Sequence, residues 1–278
     1  MMKLPISADS YESGPAALIR SVQRASLMLN LTAVEAVEVR GASVCVDAER
    51  EGVLGANGAY EVVDEVRDAG VGSVIDAICS VYGEGALRCL EMLANGGRWR
   101  AETIAHAAGL GYGVERWEVL RLDGYRRVEG EGLEIQILPG RAVLAELGRF
   151  YESLAAGCWG YQEEKDIAGA VSLHMGYLDE SRLELFVARI DRKIVGTGGV
   201  MTVGQAGVLT EFHLEAGAAE KGVGEALMRA MVDHCERALF DHVLVGVLEG
   251  SAGIDFYRGQ GFGKMGHFER LIWGKGHV

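Results

Sequence analysis

The sequence predicts a mixed α/β fold divided into two domains, and the C-terminal half carries the clearest signals. Three strand-like runs, Leu183–Ile190, Lys193–Val203 and residues 208–215, are separated by short turns. Strands this closely spaced should be antiparallel, because parallel neighbours need a long crossover. From Val208 onwards the pattern becomes strand, helix, strand, helix, strand, with right-handed crossovers expected where neighbours are parallel. The predicted sheet is therefore antiparallel first and contains a crossover afterwards.

Periodicity also defines the elements on either side of these strands. Residues 133–138 alternate in polarity as in a half-buried strand, and Pro139 then permits a helix to begin. The predicted helices are residues 141–154, residues 163–175, the segment opened by Gly222 and Gly224, and residues 251–258. Residues 242–247 and 268–273 complete the predicted strands.

The N-terminal half repeats this outline. Its predicted helices are residues 16–29, 62–67 and 101–108. Its strand-like or apolar segments are residues 36–46, 54–60, 87–93 and 116–122. Residues 109–113 read GLGYG before a strand, and residues 259–263 read GQGFG before another, which predicts an internal duplication. A chance match is the alternative, because 40 of the 278 residues are glycine.

A short polar, glycine-containing segment separates the two halves. Residues 123–132 read DGYRRVEGEG between two stretches of patterned sequence. We therefore predict one domain over residues 1–129 and a second over residues 130–278.

Composition and charge narrow the classes of function. Hydrophobic residues make up 49% of the chain and charged residues 24%, as in folded soluble proteins. The formal net charge of −13 disfavours nucleic acids and anionic membranes as partners. The sequence also lacks an apolar run of membrane-spanning length and an N-terminal hydrophobic signal, so we expect a cytoplasmic protein.

The cysteines and histidines do not form a recognisable metal or disulfide pattern. The five cysteines are Cys45, Cys79, Cys89, Cys158 and Cys235, without a C-x-x-C pair, so reduced thiols are expected. The seven histidines show no H-E-x-x-H spacing. The sequence therefore predicts no metal.

The strongest functional signal is the junction FHLEAGAAEKGVGE at residues 212–225, between a strand and an amphipathic helix. A helix N-terminus presents unpaired N–H groups and a positive dipole end, and glycines let a ligand approach the backbone. Gly222, Val223 and Gly224 are thus candidates to bind a pyrophosphate, with Lys221 adding a charge. An ordinary glycine-containing helix entry is the alternative. Leu227 occupies the place of the third glycine of a dinucleotide-binding fingerprint, which disfavours NAD.

With its surroundings, this junction resembles the acetyl-CoA loop of the GNAT N-acetyltransferase superfamily. The family pattern is Arg or Gln, two residues, Gly, one residue, then Gly or Ala, at the start of the third helix. Gly222 and Gly224 fit it, whereas Ala219 occupies the Arg or Gln position. The resemblance implies a fold of two GNAT-like domains and acetyl-CoA as cosubstrate. The cofactor-binding residues that it implies are Leu214, Glu215, Ala219, Glu220, Lys221, Gly222, Val223, Gly224, Glu225 and Tyr257.

A second motif, DFYRGQGF at residues 255–262, resembles the family's fourth-helix motif. The resemblance implies that Tyr257 protonates the departing CoA thiolate. A phenol suits this step because its ordinary pKa of ~10 keeps it protonated at neutral pH. The family often has Asn seven residues before the tyrosine, where this chain has Gly250.

An amine must lose a proton to attack a thioester, and two residues are candidate bases. Glu211 and His213 are two apart on a predicted strand, so both should face the same side. The alternative for each is a structural polar residue. In this superfamily a backbone N–H of the fourth strand hydrogen-bonds the oxyanion, which here points to Leu214 or Glu215.

These observations lead to the hypothesis of an acetyl-CoA-dependent N-acetyltransferase in which an amine attacks the thioester directly. A non-catalytic CoA- or ligand-binding module is the alternative that Ala219 and Gly250 favour. The N-terminal half resembles a degenerate copy, with His106 and Ala107 opposite Phe256 and Tyr257 and without a G-x-G helix entry. We expect it to cover or shape the acceptor pocket rather than to catalyse.

Overall fold

The computed structural model describes residues 14–63, 72–82, 91–94, 97–125 and 135–274, which contain seven α-helices and eleven strands. The helices are α1 (Pro15–Ala33), α2 (Gly72–Tyr82), α3 (Ala101–Gly109), α4 (Leu144–Gly157), α5 (Glu164–Gly176), α6 (Val223–Arg237) and α7 (Ala252–Gly259). The strands are β1 (Ala36–Val39), β2 (Ala42–Cys45), β3 (Gly58–Val62), β4 (Glu91–Ala94), β5 (Tyr112–Leu122), β6 (Gln136–Pro139), β7 (Leu183–Ile190), β8 (Lys193–Val203), β9 (Ala206–Leu214), β10 (His242–Leu248) and β11 (Phe262–Trp273).

All eleven described strands form one sheet, in the order β1-β2-β3-β4-β11-β5-β10-β9-β8-β7-β6. β6 to β9 pair antiparallel, and β9 and β10 are parallel. The predicted mixed α/β fold, antiparallel first and then a crossover through α6, is confirmed.

The central strands of the sheet are exchanged between the two halves of the chain. β5, from the N-terminal half, lies between β10 and β11, while β11 lies between β4 and β5. β5 and β11 are antiparallel along their whole lengths, from Phe262 opposite Leu122 to Trp273 opposite Tyr112. The segments that follow the GLGYG and GQGFG motifs are thus direct neighbours.

Helices cover both faces of this sheet. Neighbouring residues of a strand point to opposite sides, and in the buried strands both of these positions are apolar. One face packs under α1 and α5, and its strand residues include Val119, Met201, Val208 and Leu244. The other packs under α6 and α7, and its strand residues include Leu120, Val200, Leu209 and Val245. The two sets differ by one position in each strand, which is the signature of a sheet buried on both sides.

Most predicted elements of the C-terminal half are found with small shifts, whereas the N-terminal half differs more. Residues 36–46 form two strands, β1 and β2, because Arg40 and Gly41 adopt positive φ values of 50° and 84° in a turn. Helix α2 was not predicted. The helix predicted over residues 62–67 begins in a strand, since Val62 is the last residue of β3, and residues 64–67 lie outside the described part. The strand predicted over residues 87–93 is described only from Glu91, where β4 begins.

The four described cysteines are free thiols, and Cys89 lies outside the described residues. Cys45 and Cys235 are buried, Cys79 is half-buried and Cys158 is exposed. Burial raises the pKa of both the Cys45 and the Cys235 thiol to about 12. Among the described residues, no helix has the length and apolar character needed to cross a membrane.

Candidate functional site

The candidate site begins where two parallel strands stop pairing. β9 and β10 pair from Ala206 with His242 to Leu209 with Val245, and both strands continue beyond that point. β10 remains paired with β5 on its other side. Within the described part of the chain, the C-terminal part of β9 therefore has a free edge towards β10, and a gap opens between the two strands at their carboxyl ends.

A bulge in β9 lies beside this gap. The register with β8 shifts between the pairs Gly199–Thr210 and Thr197–His213, so β9 carries one extra residue there. Glu211 adopts a left-handed backbone conformation with φ of 50°. The Thr197 hydroxyl donates to the Glu211 carbonyl oxygen at 2.9 Å. The bulge is thereby fixed to the neighbouring strand.

The backbone after the bulge distinguishes the two candidate oxyanion donors. The N–H of Glu215 donates to the Val195 carbonyl of β8 at 2.9 Å, so of the two alternatives, Leu214 and Glu215, the N–H of Glu215 already has an acceptor. Bonding directions alternate along an antiparallel ladder, which turns the N–H of Leu214 away from β8 and towards the gap. Leu214 is therefore the better placed of the two predicted donors.

The loop that follows β9 ends at the N-terminus of α6. Ala219, Glu220 and Lys221 form a short 3-10 helix with exposed side chains. The N–H of Gly222 closes that turn by donating to the Ala219 carbonyl at 3.1 Å, so this predicted pyrophosphate donor is already occupied. The first N–H groups without acceptors within α6 are those of Val223, Gly224 and Glu225.

Glycine is needed at the two positions of the motif for different structural reasons. Gly222 adopts φ of 74°, a left-handed conformation that glycine tolerates best, and open space surrounds its Cα. A Cβ on Gly224 would lie 3.2 Å from the Phe256 ring. Gly224 therefore permits the close approach of α6 and α7, whereas Gly222 shapes the loop.

Tyr257 lies on the α6–α7 face of the sheet. Its side chain is only 6% exposed and packs among Phe212, Phe256 and Phe262, with ring centroids 5.4–5.9 Å away. Burial raises the pKa of Tyr257 well above its ordinary value. The phenol is therefore protonated at any physiological pH. Phe212 connects it to β9 at the bulge.

Gly250, where the resembling family often has Asn, precedes α7 with φ of 80°. Glycine and asparagine are the residues that tolerate this conformation best. Gly250 therefore keeps the backbone turn that asparagine would also support. It lacks only the side-chain amide of asparagine.

Glu211 and His213 face the opposite side of the sheet, towards α4 and α5. There they meet His174 of α5, a residue that the sequence analysis did not select. His174 Nδ1 lies 2.6 Å from Glu211 Oε2, and His213 Nε2 lies 3.7 Å from the same oxygen. The prediction that Glu211 and His213 share one side is confirmed.

Burial and two imidazoles act in opposite directions on the Glu211 carboxyl. Burial alone would raise its pKa, but His174 and His213 outweigh that effect and hold the pKa well below its usual range. Glu211 is therefore ionised across the range in which proteins are active. Its charge in turn raises the pKa of Tyr151 and Tyr177, in addition to the larger effect of their burial.

Ligand atoms of His174, Glu211 and His213 all lie within 4.8 Å of one another, so the cluster has the composition of a possible metal site. The prediction of no metal stays a prediction. No sequence spacing marks the cluster, since 37 residues separate His174 from Glu211.

The corresponding place in the N-terminal half has no open gap between the described residues of its two strands. β3 and β4 are also parallel with a bulge, and Glu61 adopts φ of 55°, yet Val62 pairs again with Ala94 beyond the bulge. Helix α1 covers this point, since Gln23 Nε2 donates to the Ala94 carbonyl at 3.0 Å and Arg24 pairs with Glu61 at 3.0 Å.

One prediction about this half is corrected. The sequence reads Gly70-Val71-Gly72, the same letters as Gly222-Val223-Gly224, and the described part of helix α2 begins at Gly72, so this half does contain a G-x-G motif next to a helix. The residues predicted opposite Phe256 and Tyr257 lack a phenol: Ala107 is buried, and His106 contacts Asp76 of α2 at 2.9 Å.

Comparisons with known proteins show a family match and a shared fold. Residues 141–262 match the model of the acetyltransferase (GNAT) family. The sequence matches none of the curated proteins searched.

Solved structures resemble the chain over most of its length. A GCN5-related N-acetyltransferase from Kribbella flavida is 15% identical, with a TM-score of 0.60 over 96% of this chain and 98% of that one. A conserved protein of unknown function from Staphylococcus epidermidis ATCC 12228 is 10% identical, with a TM-score of 0.62 over 87% and 94%. A GCN5-related N-acetyltransferase from Sphaerobacter thermophilus is 14% identical, with a TM-score of 0.54 over 83% and 76%. At these identities the likeness shows the fold.

Proposed function

From the premise that residues 141–262 form a domain of the acetyltransferase (GNAT) family, we propose that the chain transfers the acetyl group of acetyl-CoA to an amine of a small-molecule acceptor. The family match supports acyl transfer in general. One observation carries the finer proposal: the gap between β9 and β10 has a buried phenol, Tyr257, on one side of the sheet and the Glu211–His213 pair on the other.

Acetyl-CoA, the acetyl donor, is proposed to bind along the free edge of β9 and at the start of α6. Unpaired backbone groups of β9 suit the amides of the pantetheine arm, as an added strand would. The N–H groups of Val223, Gly224 and Glu225 suit the diphosphate, together with the helix dipole and Lys221. Ala219 adds no side-chain donor, so the backbone supplies most of this recognition.

The chemistry proposed for this site is direct attack without a covalent enzyme intermediate. The amine nitrogen bonds to the thioester carbonyl carbon, and the N–H of Leu214 stabilises the oxyanion. The C–S bond then breaks, its electron pair goes to sulfur, and Tyr257 donates a proton to the thiolate. The proton lost by the amine passes to the Glu211–His213 pair.

The surroundings of that pair support an amine as the acceptor. Glu211 is an ionised carboxylate in a low-exposure site, and Trp159 and Tyr151 present aromatic rings around the two histidines. Carboxylates and aromatic faces both attract cationic amines. The net charge of −13 acts in the same direction over a longer range.

The first test is calorimetric titration with acetyl-CoA, using NAD as the control ligand. We expect saturable binding of acetyl-CoA alone, followed by CoA release with at least one member of an amine panel. Binding without turnover across the panel would support the alternative of a non-catalytic CoA-binding module, which Ala219 favours. Absence of acetyl-CoA binding would reject both the acetyltransferase proposal and the CoA-binding alternative.

A further inference from the structure

We infer that His174 is a positioning residue that holds Glu211 in place, so that His213 Nε2 is the atom that accepts the proton of the acceptor amine. The inference rests on the proposed function. It assigns separate tasks to three side chains that meet at one carboxylate oxygen, and it adds a residue from α5 to the site.

The two imidazoles contact the carboxylate unequally. His174 Nδ1 is within hydrogen-bond distance of Glu211 Oε2 at 2.6 Å, whereas His213 Nε2 is 3.7 Å from the same oxygen. An ionised carboxylate only accepts hydrogen bonds, so Nδ1 of His174 carries the shared proton. The Glu211 carboxylate is therefore already hydrogen-bonded to His174.

His213 is left with an unused nitrogen. Among the described residues, His213 Nε2 is a buried atom without a hydrogen-bond partner, although the side chain as a whole is 23% exposed. Buried polar atoms normally find partners, and an exception at a gap between strands indicates a place for a ligand. A substrate amine bound beside the ring would supply the partner that Nε2 lacks.

Packing leaves His174 little freedom to move. Its ring stacks on Trp159 at 4.4 Å and on Tyr151 at 5.1 Å, and Tyr177 approaches edge-on at 5.3 Å. A side chain fixed on several sides can hold its partner within a fraction of an ångström, as a catalytic constellation requires. The hydrogen bond thus transmits the position of α5 to the bulge of β9.

Residues of the N-terminal half pack against α5 and the turn that follows it. A Cβ on Gly169 of α5 would lie 3.0 Å from both Arg50 and Val53, so the helix contacts this loop closely. Just after α5, the Tyr177 hydroxyl donates to Asn30 of α1 at 2.7 Å. Contacts from the N-terminal half therefore help to set the position of His174.

Each proton that moves in the reaction is returned by its end. As the amine nitrogen bonds to the carbonyl carbon, its proton moves to His213 Nε2, and Tyr257 gives its proton to the departing sulfur. The His213 imidazolium is stabilised by the Glu211 carboxylate and returns its proton through water to the Tyr257 phenolate. The products are the amide and CoA, with both side chains restored.

Two substitutions at His174 separate positioning from packing. His174→Asn keeps an N–H donor near the place of Nδ1 but removes the ring, whereas His174→Phe keeps the stacked ring and removes the donor. We expect His174→Phe to lower kcat by about 10- to 100-fold, as loss of an orienting partner does, with the KM for acetyl-CoA unchanged. His174→Asn should retain kcat within about threefold.

The opposite ranking, with Phe active and Asn impaired, would overturn the inference and leave His174 a packing residue. Full activity of His213→Gln together with an inactive Glu211→Gln would also overturn it, because Glu211 would then be the acceptor. In either case wild-type turnover shows that the proposed function itself stands.

A second readout does not depend on turnover. ¹H–¹⁵N NMR of the histidine rings should show a downfield, slowly exchanging proton on His174 Nδ1 that is retained in His213→Gln and lost in Glu211→Leu. Absence of that proton in the wild type would overturn the inference. So would a stoichiometric transition metal in the purified protein that is lost in His174→Phe, because the three side chains would then be ligands.

Discussion

Phe262, the first residue of β11, lies opposite Leu122, the last residue of β5, and the two strands pair antiparallel, with one register shift between Lys264 and Gly266, until Trp273 meets Tyr112. The strand that ends each half is thus flanked by strands of the other half: β5 by β10 and β11, β11 by β4 and β5. Together with the matching Glu61 and Glu211 bulges, this relationship supports the predicted duplication.

The strand exchange predicts that the C-terminal half is unstable alone. A fragment of residues 130–278 would lack β5, which leaves β10 and β11 with unpaired edges and Val119 and Leu120 missing from the two cores. We expect it to aggregate or to unfold without a cooperative transition in circular dichroism. Co-expression with residues 1–129 should restore a folded complex. A monomeric, cooperatively folding fragment would contradict the prediction.

Tyr257→Phe tests the proposed acid. Removal of the hydroxyl should lower kcat by about 100-fold, while calorimetric affinity for acetyl-CoA changes little, because the ring still fills the cluster with Phe212 and Phe256. Tyr112→Phe, another buried phenol but in β5, is the control and should keep its activity. Unchanged turnover in Tyr257→Phe would remove this residue from the mechanism.

Gly222→Glu tests the binding loop. The new side chain places bulk and a negative charge at the N-terminus of α6, so acetyl-CoA binding should be lost in calorimetry. Gly204→Glu is a matched control, since Gly204 also adopts a positive φ, 59°, with open space around it, in the turn between β8 and β9. Both variants should lose about 1 kcal/mol of stability from backbone strain. Equal affinity of the two variants for acetyl-CoA would place the acetyl-CoA site elsewhere.

Glu180 links α1 to the C-terminal half and makes stability depend on pH. Its carboxylate accepts hydrogen bonds from Arg182 at 2.6 and 2.8 Å and from Thr32 at 3.0 Å. The Arg182 bonds lower the pKa of Glu180 to about 2, from an ordinary value of 4.5. Because the folded state holds the carboxylate ionised, this stabilisation is present above the ordinary pKa and is lost as pH falls towards 2.

Glu180→Gln should therefore lower the free energy of unfolding by about 1–2 kcal/mol at pH 7, a reduced value because Arg182 is partly exposed. The difference from the wild type should shrink between pH 5 and pH 3 in urea denaturation. Glu38→Gln, at an exposed position in β1, is the control and should have no such effect. A difference independent of pH would rule out the ionised carboxylate as the cause.

Local sequence patterns were sufficient to predict most elements of the C-terminal half and the motifs at Gly222 and Tyr257. Strand and helix periodicities are local, and glycines at positive φ mark turns, so both can be read over a few residues. The same locality explains why Glu211 and His213 were selected together, since two residues two apart share a face of one strand.

Three further features depend on long-range packing. The pairing of β5 with β11 joins residues about 150 positions apart, which no local pattern specifies. The N–H groups of Gly222 and Glu215 proved to be occupied by Ala219 and Val195, because each backbone bond depends on what lies opposite. His174 meets Glu211 because α5 packs across the sheet, held there by the N-terminal half. Local sequence sets which elements form, while long-range packing sets which of their polar groups are left free to act.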